Sequence, residues 1–333
     1  MSGYLLYPGC SMETSAKAYH ESLTAVAGPL GLELTEIEDW NCCGATEYLG
    51  INLIPAYALI GRNLALAARQ ANGTRTVVAP CSACYLNLAK ADHYMEERPV
   101  LGERVNEALA AGGLDYTPGS LEIRHLLDVL VYDIGLDALR SKVSRPLTGL
   151  RVAPYLGCMV PRPDYKKRWS DHEHPTELDR LLEALGAEVL DFPLKTHCCG
   201  GHMTQIGPET AYELIRRLLQ EADQYHADVI ATVCPMCQLN LDAYQHATNR
   251  HFHTSFEIPI VFFTQLIGLA LEIEPKLLGF GREIVSARRA LGRIGVEAPP
   301  AQDAGAARGP RRRRPKKPEG LPMPTMPGQE VEP

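Results

Sequence analysis

Short apolar runs that stop at glycine or proline alternate along this chain with longer stretches whose apolar residues recur at helical spacing. Tyr4 to Tyr7 is an apolar run ending at Pro8-Gly9, the pattern of a buried strand. Residues 14–27 follow with helical spacing, closed by Gly28-Pro29. Residues 32–37 alternate apolar and polar, as a strand does. Residues 54–70 form an Ala/Leu-rich helical stretch closed near Asn72-Gly73, and 75–79 read as a third strand ending at Pro80. The next helix is expected to begin near Cys84 and to carry Tyr85, Leu86 and Leu88. Residues 92–119 read as mostly helical, and 121–139 are apolar at helical spacing. Pro146 and Gly149 mark the best candidate boundary.

The pattern then restarts. Residues 150–156 read as a strand, 175–185 as a helix, 186–190 as a strand, 208–225 as a helix and 227–233 as a strand. Val77-Val78-Ala79-Pro80-Cys81-Ser82-Ala83-Cys84-Tyr85-Leu86-Asn87-Leu88 repeats as Ile230-Ala231-Thr232-Val233-Cys234-Pro235-Met236-Cys237-Gln238-Leu239-Asn240-Leu241. The shared C-x-x-C-x-L-N-L is an internal repeat. Strands alternating with helices imply the α/β class, here as two tandem related domains. Each is expected to be a small, mainly parallel sheet with flanking helices, in residues 1–146 and 147–298. Residues 299–333 are expected to form a Pro/Arg-rich disordered tail: nine of the 25 prolines lie there.

The ten cysteines fall into two sets of five with one order. The first is Cys10, the pair Cys42-Cys43 followed by Gly44, then Cys81 and Cys84. The second is Cys158, the pair Cys198-Cys199 followed by Gly200, then Cys234 and Cys237. Each cysteine element follows a predicted strand. In a parallel α/β sheet ligands sit outside the carboxyl ends of the strands, so five thiolates distant in sequence can converge.

Composition narrows the setting. The chain is 45% hydrophobic and 22% charged, a globular balance. No secretory pattern opens it, and the most apolar late stretch, 258–273, is too short to span a bilayer. Ten cysteines in that context point to a reducing compartment, the cytoplasm, with thiols acting as metal ligands or redox groups. The net charge of −7 includes a basic tail with seven basic and three acidic residues from Arg308 onward. That run reads as a solvated appendage, or as a docking arm for an acidic partner. It lacks aromatic residues for base stacking, and the body is acidic, so nucleic acid is not the expected partner.

Thiolates are soft ligands that suit zinc, copper(I) and iron–sulfur clusters. A structural zinc takes four ligands, which would leave one cysteine spare in each set. Adjacent cysteines suit a multi-iron cluster better than a single ion, although zinc in one site stays open. Gly44 and Gly200 permit φ > 0 and close approach of the backbone to a bulky group, and Gly201 extends the second loop. A lone C-x-x-C would suit a dithiol redox site, but that leaves the other three cysteines of each set unexplained. His197 and His202 flank the second pair, where the first has Asn41 and Ala45-Thr46. Either histidine is a candidate hydrogen-bond or proton donor. Gly279-Phe280-Gly281 lacks the third glycine of a dinucleotide loop, and no bacterial ferredoxin run is present.

The duplicated pattern, with Tyr7-Pro8-Gly9-Cys10-Ser11, Asp39-Trp40-Asn41-Cys42-Cys43-Gly44-Ala45 and Ala79-Pro80-Cys81-Ser82-Ala83-Cys84-Tyr85, resembles the cysteine-rich CCG domains of the heterodisulfide reductase B-subunit family. The resemblance covers about residues 3–275. It implies that each set holds a noncubane [4Fe-4S] cluster: Cys10, Cys42, Cys43, Cys81 and Cys84 the first, Cys158, Cys198, Cys199, Cys234 and Cys237 the second. It implies a disulfide substrate between the clusters, free or carrier-bound, cleaved by one electron from each side. Cys43, Cys199 and His202 are then the catalytic candidates, with Gly44, Gly200 and Gly201 lining the clusters. Electrons would come from two partners, a ferredoxin-like subunit and a flavoprotein subunit. Other CCG proteins act with lactate, glycolate, glycerol-3-phosphate or succinate oxidoreductases, and a zinc-bound scaffold role is a third possibility.

Overall fold

The computed structural model describes residues 3–45, 48–162 and 171–296. The expected tail, 299–333, and Thr46 lie outside these residues. The described chain holds two four-stranded sheets. In the first, β1 (Gly3–Leu6), β2 (Glu33–Glu36), β3 (Thr76–Ala79) and β4 (Glu122–His125) lie in the order β2-β1-β3-β4. In the second, β5 (Arg151–Tyr155), β6 (Glu188–Val189), β7 (Val229–Thr232) and β8 (Ile260–Phe262) lie in the order β6-β5-β7-β8. Every strand pair in both is parallel. Two parallel α/β units with one strand order are what the internal repeat implies.

Strand alternation explains how the sheets are covered. Tyr4, Leu6, Val78, Val152, Val229 and Ala231 point into one core. Their neighbours Leu5, Val77, Ala79, Ala153, Tyr155 and Ile230 point to the opposite face and a second core. Both sheets therefore bury both faces, as parallel sheets do. The first core mixes the two repeats: Tyr19, Leu23 and Leu126 lie with Leu181, Phe262 and Leu266. Helix Lys17–Leu30 of the first repeat packs on helix Phe263–Ala270 of the second, and the buried Ser22 and Thr264 hydroxyls hydrogen-bond at 2.6 Å. The two repeats share one compact unit.

Three details differ from the sequence reading. Residues 121–139 read as continuously helical, yet the stretch opens with β4 before the helical segments begin. Likewise β8 runs directly into helix Phe263–Ala270. No glycine or proline separates strand from helix in either place, so the apolar run hides the switch. The first long helix also continues through Gly28-Pro29 and ends at Leu30, capped by Gly31 at φ 73°. Its proline, Pro29, sits in the last turn, followed by Gly31 and Leu32 N–H groups that bond the Gly28 and Ala27 carbonyls.

Leu266 is fully buried in the shared core. Leu266→Ala is expected to cost about 2–5 kcal/mol while leaving denaturant unfolding a single transition, because both repeats lose the same core. Two separated transitions would show that the repeats fold independently.

Candidate metal centre

Because every strand is parallel, the carboxyl ends of β1, β2 and β3 open onto one edge, as do those of β5, β6 and β7. Cys10 begins the short helix Cys10–Glu13 after β1, Cys42 and Cys43 lie in the loop after β2, and Cys81 caps the helix Ser82–Glu97 after β3. Cys158 follows β5, Cys198 and Cys199 follow β6, and Cys234 caps the helix Pro235–Ala243 after β7. The fold thus gathers each predicted set of five.

In the first repeat the sulfurs form a continuous ladder. Cys10 Sγ lies 3.6 Å from Cys42 Sγ, Cys42 contacts Cys43, Cys43 Sγ lies 3.4 Å from Cys84 Sγ, and Cys84 contacts Cys81. In the second repeat Cys158 contacts Cys198, Cys199 Sγ lies 3.6 Å from Cys237 Sγ, and Cys237 contacts Cys234. Cys10, Cys42 and Cys198 are exposed, while Cys43, Cys81, Cys84, Cys199, Cys234 and Cys237 are buried. Each set therefore runs from the surface inward. At the inner end the Tyr19 hydroxyl lies 3.1 Å from the Pro80 carbonyl oxygen and 3.4 Å from that of Val233, the residues just before Cys81 and Cys234.

The glycine of each cysteine-cysteine-glycine loop has a defined task. Gly44 and Gly200 take φ 65° and 98°, a region that disfavours a side chain. Gly200 N–H donates to Cys198 Sγ at 3.3 Å, and Gly44 N–H does the same for Cys42. A Cβ on Gly9 would lie 2.8 Å from Cys84 Sγ, and one on Gly157 2.9 Å from Cys237 Sγ. Glycine at those two places lets backbone lie directly against ligand sulfur.

Neighbouring donors decide which sulfurs carry charge. Hydrogen bonding with Cys42 and then with Cys84 draws the Cys43 thiol down to about 4. Donation from Cys158, with Gly200 N–H, draws Cys198 down to about 6. Cys234 is also lowered, by Cys237 and then Cys81. Cys42 and Cys158, which donate, are raised. Thiolates are the metal-binding form, and these hydrogen bonds favour it at Cys43 and Cys198.

Two residue pairs hold the loops and were not singled out from sequence. Tyr7 Oη donates to the Asn41 carbonyl at 2.6 Å, and Tyr155 Oη to the His197 carbonyl at 2.7 Å. Burial raises both phenols and keeps them protonated donors. Asn87 Nδ2 donates to the Cys43 carbonyl at 3.1 Å. Asn240 Nδ2 reaches the Cys199 and Gly201 carbonyls at 3.2 and 2.9 Å and Cys199 Sγ at 3.5 Å. The signals are present in the chain: Tyr-x-Gly-Cys occurs at 7–10 and again at 155–158, and the asparagines belong to the repeated C-x-x-C-x-L-N-L. His202 is half-buried at the start of helix Met203–Ile206, on the loop that carries Cys198 and Cys199. Gly201 takes φ 51° in the same loop.

The donor set fits an iron–sulfur group: five soft sulfurs per site, with glycine backbone against them. Among the described residues, no three His, Cys, Asp or Glu side chains are arranged as a cage for a single metal ion.

Comparison with known proteins agrees with this geometry. The cysteine-rich domain family model (CCG) matches residues 4–89 and again 152–242. The chain is 32% identical over 286 residues to the 8-methylmenaquinol:fumarate reductase membrane anchor subunit of Wolinella succinogenes, covering 86% of this chain and 98% of that one. It is 30% identical over 281 residues to a heterodisulfide reductase B-subunit-like protein of Archaeoglobus profundus, covering 83% and 93%. Among solved structures, a hypothetical protein from Helicobacter pylori shares the fold, with a TM-score of 0.66 and 14% identity over 86% of this chain and 52% of that one. Among the described residues no helix is long and apolar enough to cross a membrane. With the family model matched twice and full-length relatives at this identity, the chain belongs to the duplicated cysteine-rich CCG-domain family that includes the heterodisulfide reductase B subunits.

Proposed function

We propose that this chain is the cluster-bearing catalytic component of a multisubunit oxidoreductase of heterodisulfide reductase type, working on a disulfide or its thiols. The observation that carries the reading is the pair of complete five-sulfur sets, each running from outer cysteines to buried inner ones. Cys10, Cys42, Cys43, Cys81 and Cys84 would hold one noncubane [4Fe-4S] cluster, and Cys158, Cys198, Cys199, Cys234 and Cys237 the other. Such clusters supply electrons one at a time and an iron site for sulfur. Splitting a disulfide takes two electrons, so two sites in one chain match the need.

The protein's own residues do the positioning. Gly44 and Gly200 N–H groups hold Cys42 and Cys198 at the outer end of each site. Asn87 and Asn240 fix the carbonyls behind Cys43 and Cys199, which keeps these two cysteines at the inner wall. His202, on the second loop, is assigned proton delivery to the product thiolate. A ferredoxin-like subunit and a flavoprotein subunit are the expected electron donors. The fumarate reductase relative favours a second reading, in which the same clusters pass electrons to a partner's dicarboxylate site. Turnover of a disulfide by the isolated chain with an artificial reductant separates the two.

Anaerobically purified protein should contain about eight irons per chain with matching acid-labile sulfide, two four-iron clusters. Zinc without sulfide would overturn the reading. Cys43→Ala and Cys199→Ala should each lose about half of the iron and all disulfide turnover; turnover retained in either would refute the two-site mechanism. Asn240→Leu leaves the buried Cys199 carbonyl and the half-buried Gly201 carbonyl without this donor, a cost of about 1–3 kcal/mol. It should lower iron content of the second site while sparing the first, which iron assay in Cys43→Ala and wild-type backgrounds would resolve.

A further inference from the structure

The two repeats hold their cysteine pairs with the same residue type but not with the same contacts. Asn87 and Asn240 occupy one position of the repeated C-x-x-C-x-L-N-L, and both are buried, at 7% and 2% exposure. In the first repeat Asn87 Nδ2 donates to the Cys43 carbonyl at 3.1 Å. In the second, Asn240 Nδ2 lies 2.9 Å from the Gly201 carbonyl, 3.2 Å from the Cys199 carbonyl and 3.5 Å from Cys199 Sγ. Among the described residues, Asn240 is the one of the two whose amide bonds a cysteine sulfur. A side-chain amide carries two N–H groups, so with three acceptors around it one N–H is shared.

One residue of the loop accounts for the difference. The second loop carries Gly200-Gly201 where the first carries Gly44-Ala45. Gly201 takes φ 51°, a conformation that strains a residue with a Cβ. The turn presents the Gly201 carbonyl to Asn240. That second anchor, added to the Cys199 carbonyl, holds the amide against Cys199 Sγ.

We infer that Asn240 is a tuning residue of the second site: its N–H on Cys199 Sγ makes that site the easier of the two to reduce, so the first electron to enter the chain rests there. The inference rests on the cluster reading above and adds an order of filling to it. A hydrogen-bond donor on cluster sulfur stabilises the more negative, reduced form, and burial strengthens the effect. A one-electron donor then loads the second site first. Cleavage of a disulfide takes two electrons, so it waits until the first site is reduced as well.

The test is a redox titration followed by EPR on the full chain carrying its iron, with iron and sulfide assayed in every sample. Cys43→Ala leaves the second site and Cys199→Ala the first, so each midpoint potential is assigned to one site. The second site should have the higher potential. In the Cys43→Ala chain, Asn240→Ser, too short to reach the sulfur, should shift that potential down. In the Cys199→Ala chain, Asn87→Ser removes the matching carbonyl donor and should leave the first-site potential unmoved. A role confined to holding the loop would move both sites alike. If Asn240→Ser fails to load the second site, Gly201→Ala strains the anchoring turn with Asn240 in place and should give the same downward shift. A second site that is the harder one to reduce, or loaded variants at the unsubstituted potential, would overturn the tuning role and leave the cluster reading standing. A chain without iron and sulfide would remove the cluster reading, and this inference with it.

Discussion

Parallel pairing is the constraint on which the rest of this molecule depends. When β1 pairs with β2 and β3 in one direction, the loops that follow them must leave from one edge. Cysteines at 10, 42–43 and 81–84 are then neighbours although more than seventy residues separate the first from the last. The same holds for β5, β6 and β7. Such pairing requires helical crossovers, and these supply two further elements of the site. A helix begins at each C-x-x-C, turning its N-terminal N–H groups toward anionic sulfur. The asparagine one turn along that helix reaches back to the cysteine-cysteine-glycine loop.

The loop glycines show how little freedom the site has. A positive φ at Gly44 and Gly200 accompanies the turn that brings each glycine's N–H onto the first sulfur of the pair. At Gly9 and Gly157 the space a Cβ would need is already taken by a cysteine sulfur. The backbone is thus part of the sulfur packing. The tyrosines at 7 and 155 complete the arrangement by holding the residue just before each cysteine pair.

Much of this was legible in the sequence because the chain states it twice. The C-x-x-C-x-L-N-L repeat exposed the duplication, and the glycine and proline stops placed the first three strands of each sheet. β4 and β8 were hidden because each passes into a helix without a turn residue, so an apolar run of one period concealed another. Asn87 and Asn240 were visible as identities, but their reach to a loop some forty residues away is a tertiary fact. The approach of Pro80 and Val233 around the Tyr19 hydroxyl could not be read at all. It depends on how helix Lys17–Leu30 seats Tyr19 between the repeats, and no local pattern encodes that docking.

The inequality of positions 45 and 201 bears on why two copies share one chain. A homodimer of a single repeat, built on a two-fold axis, must place the same residue at both positions. Its two halves are then identical by symmetry, and no substitution can distinguish them. Fusion into one polypeptide lifts that restriction: alanine stands in one copy and glycine in the other. Covalent linkage thus permits a polarity across the centre of the molecule that no symmetric assembly of the same repeat can have.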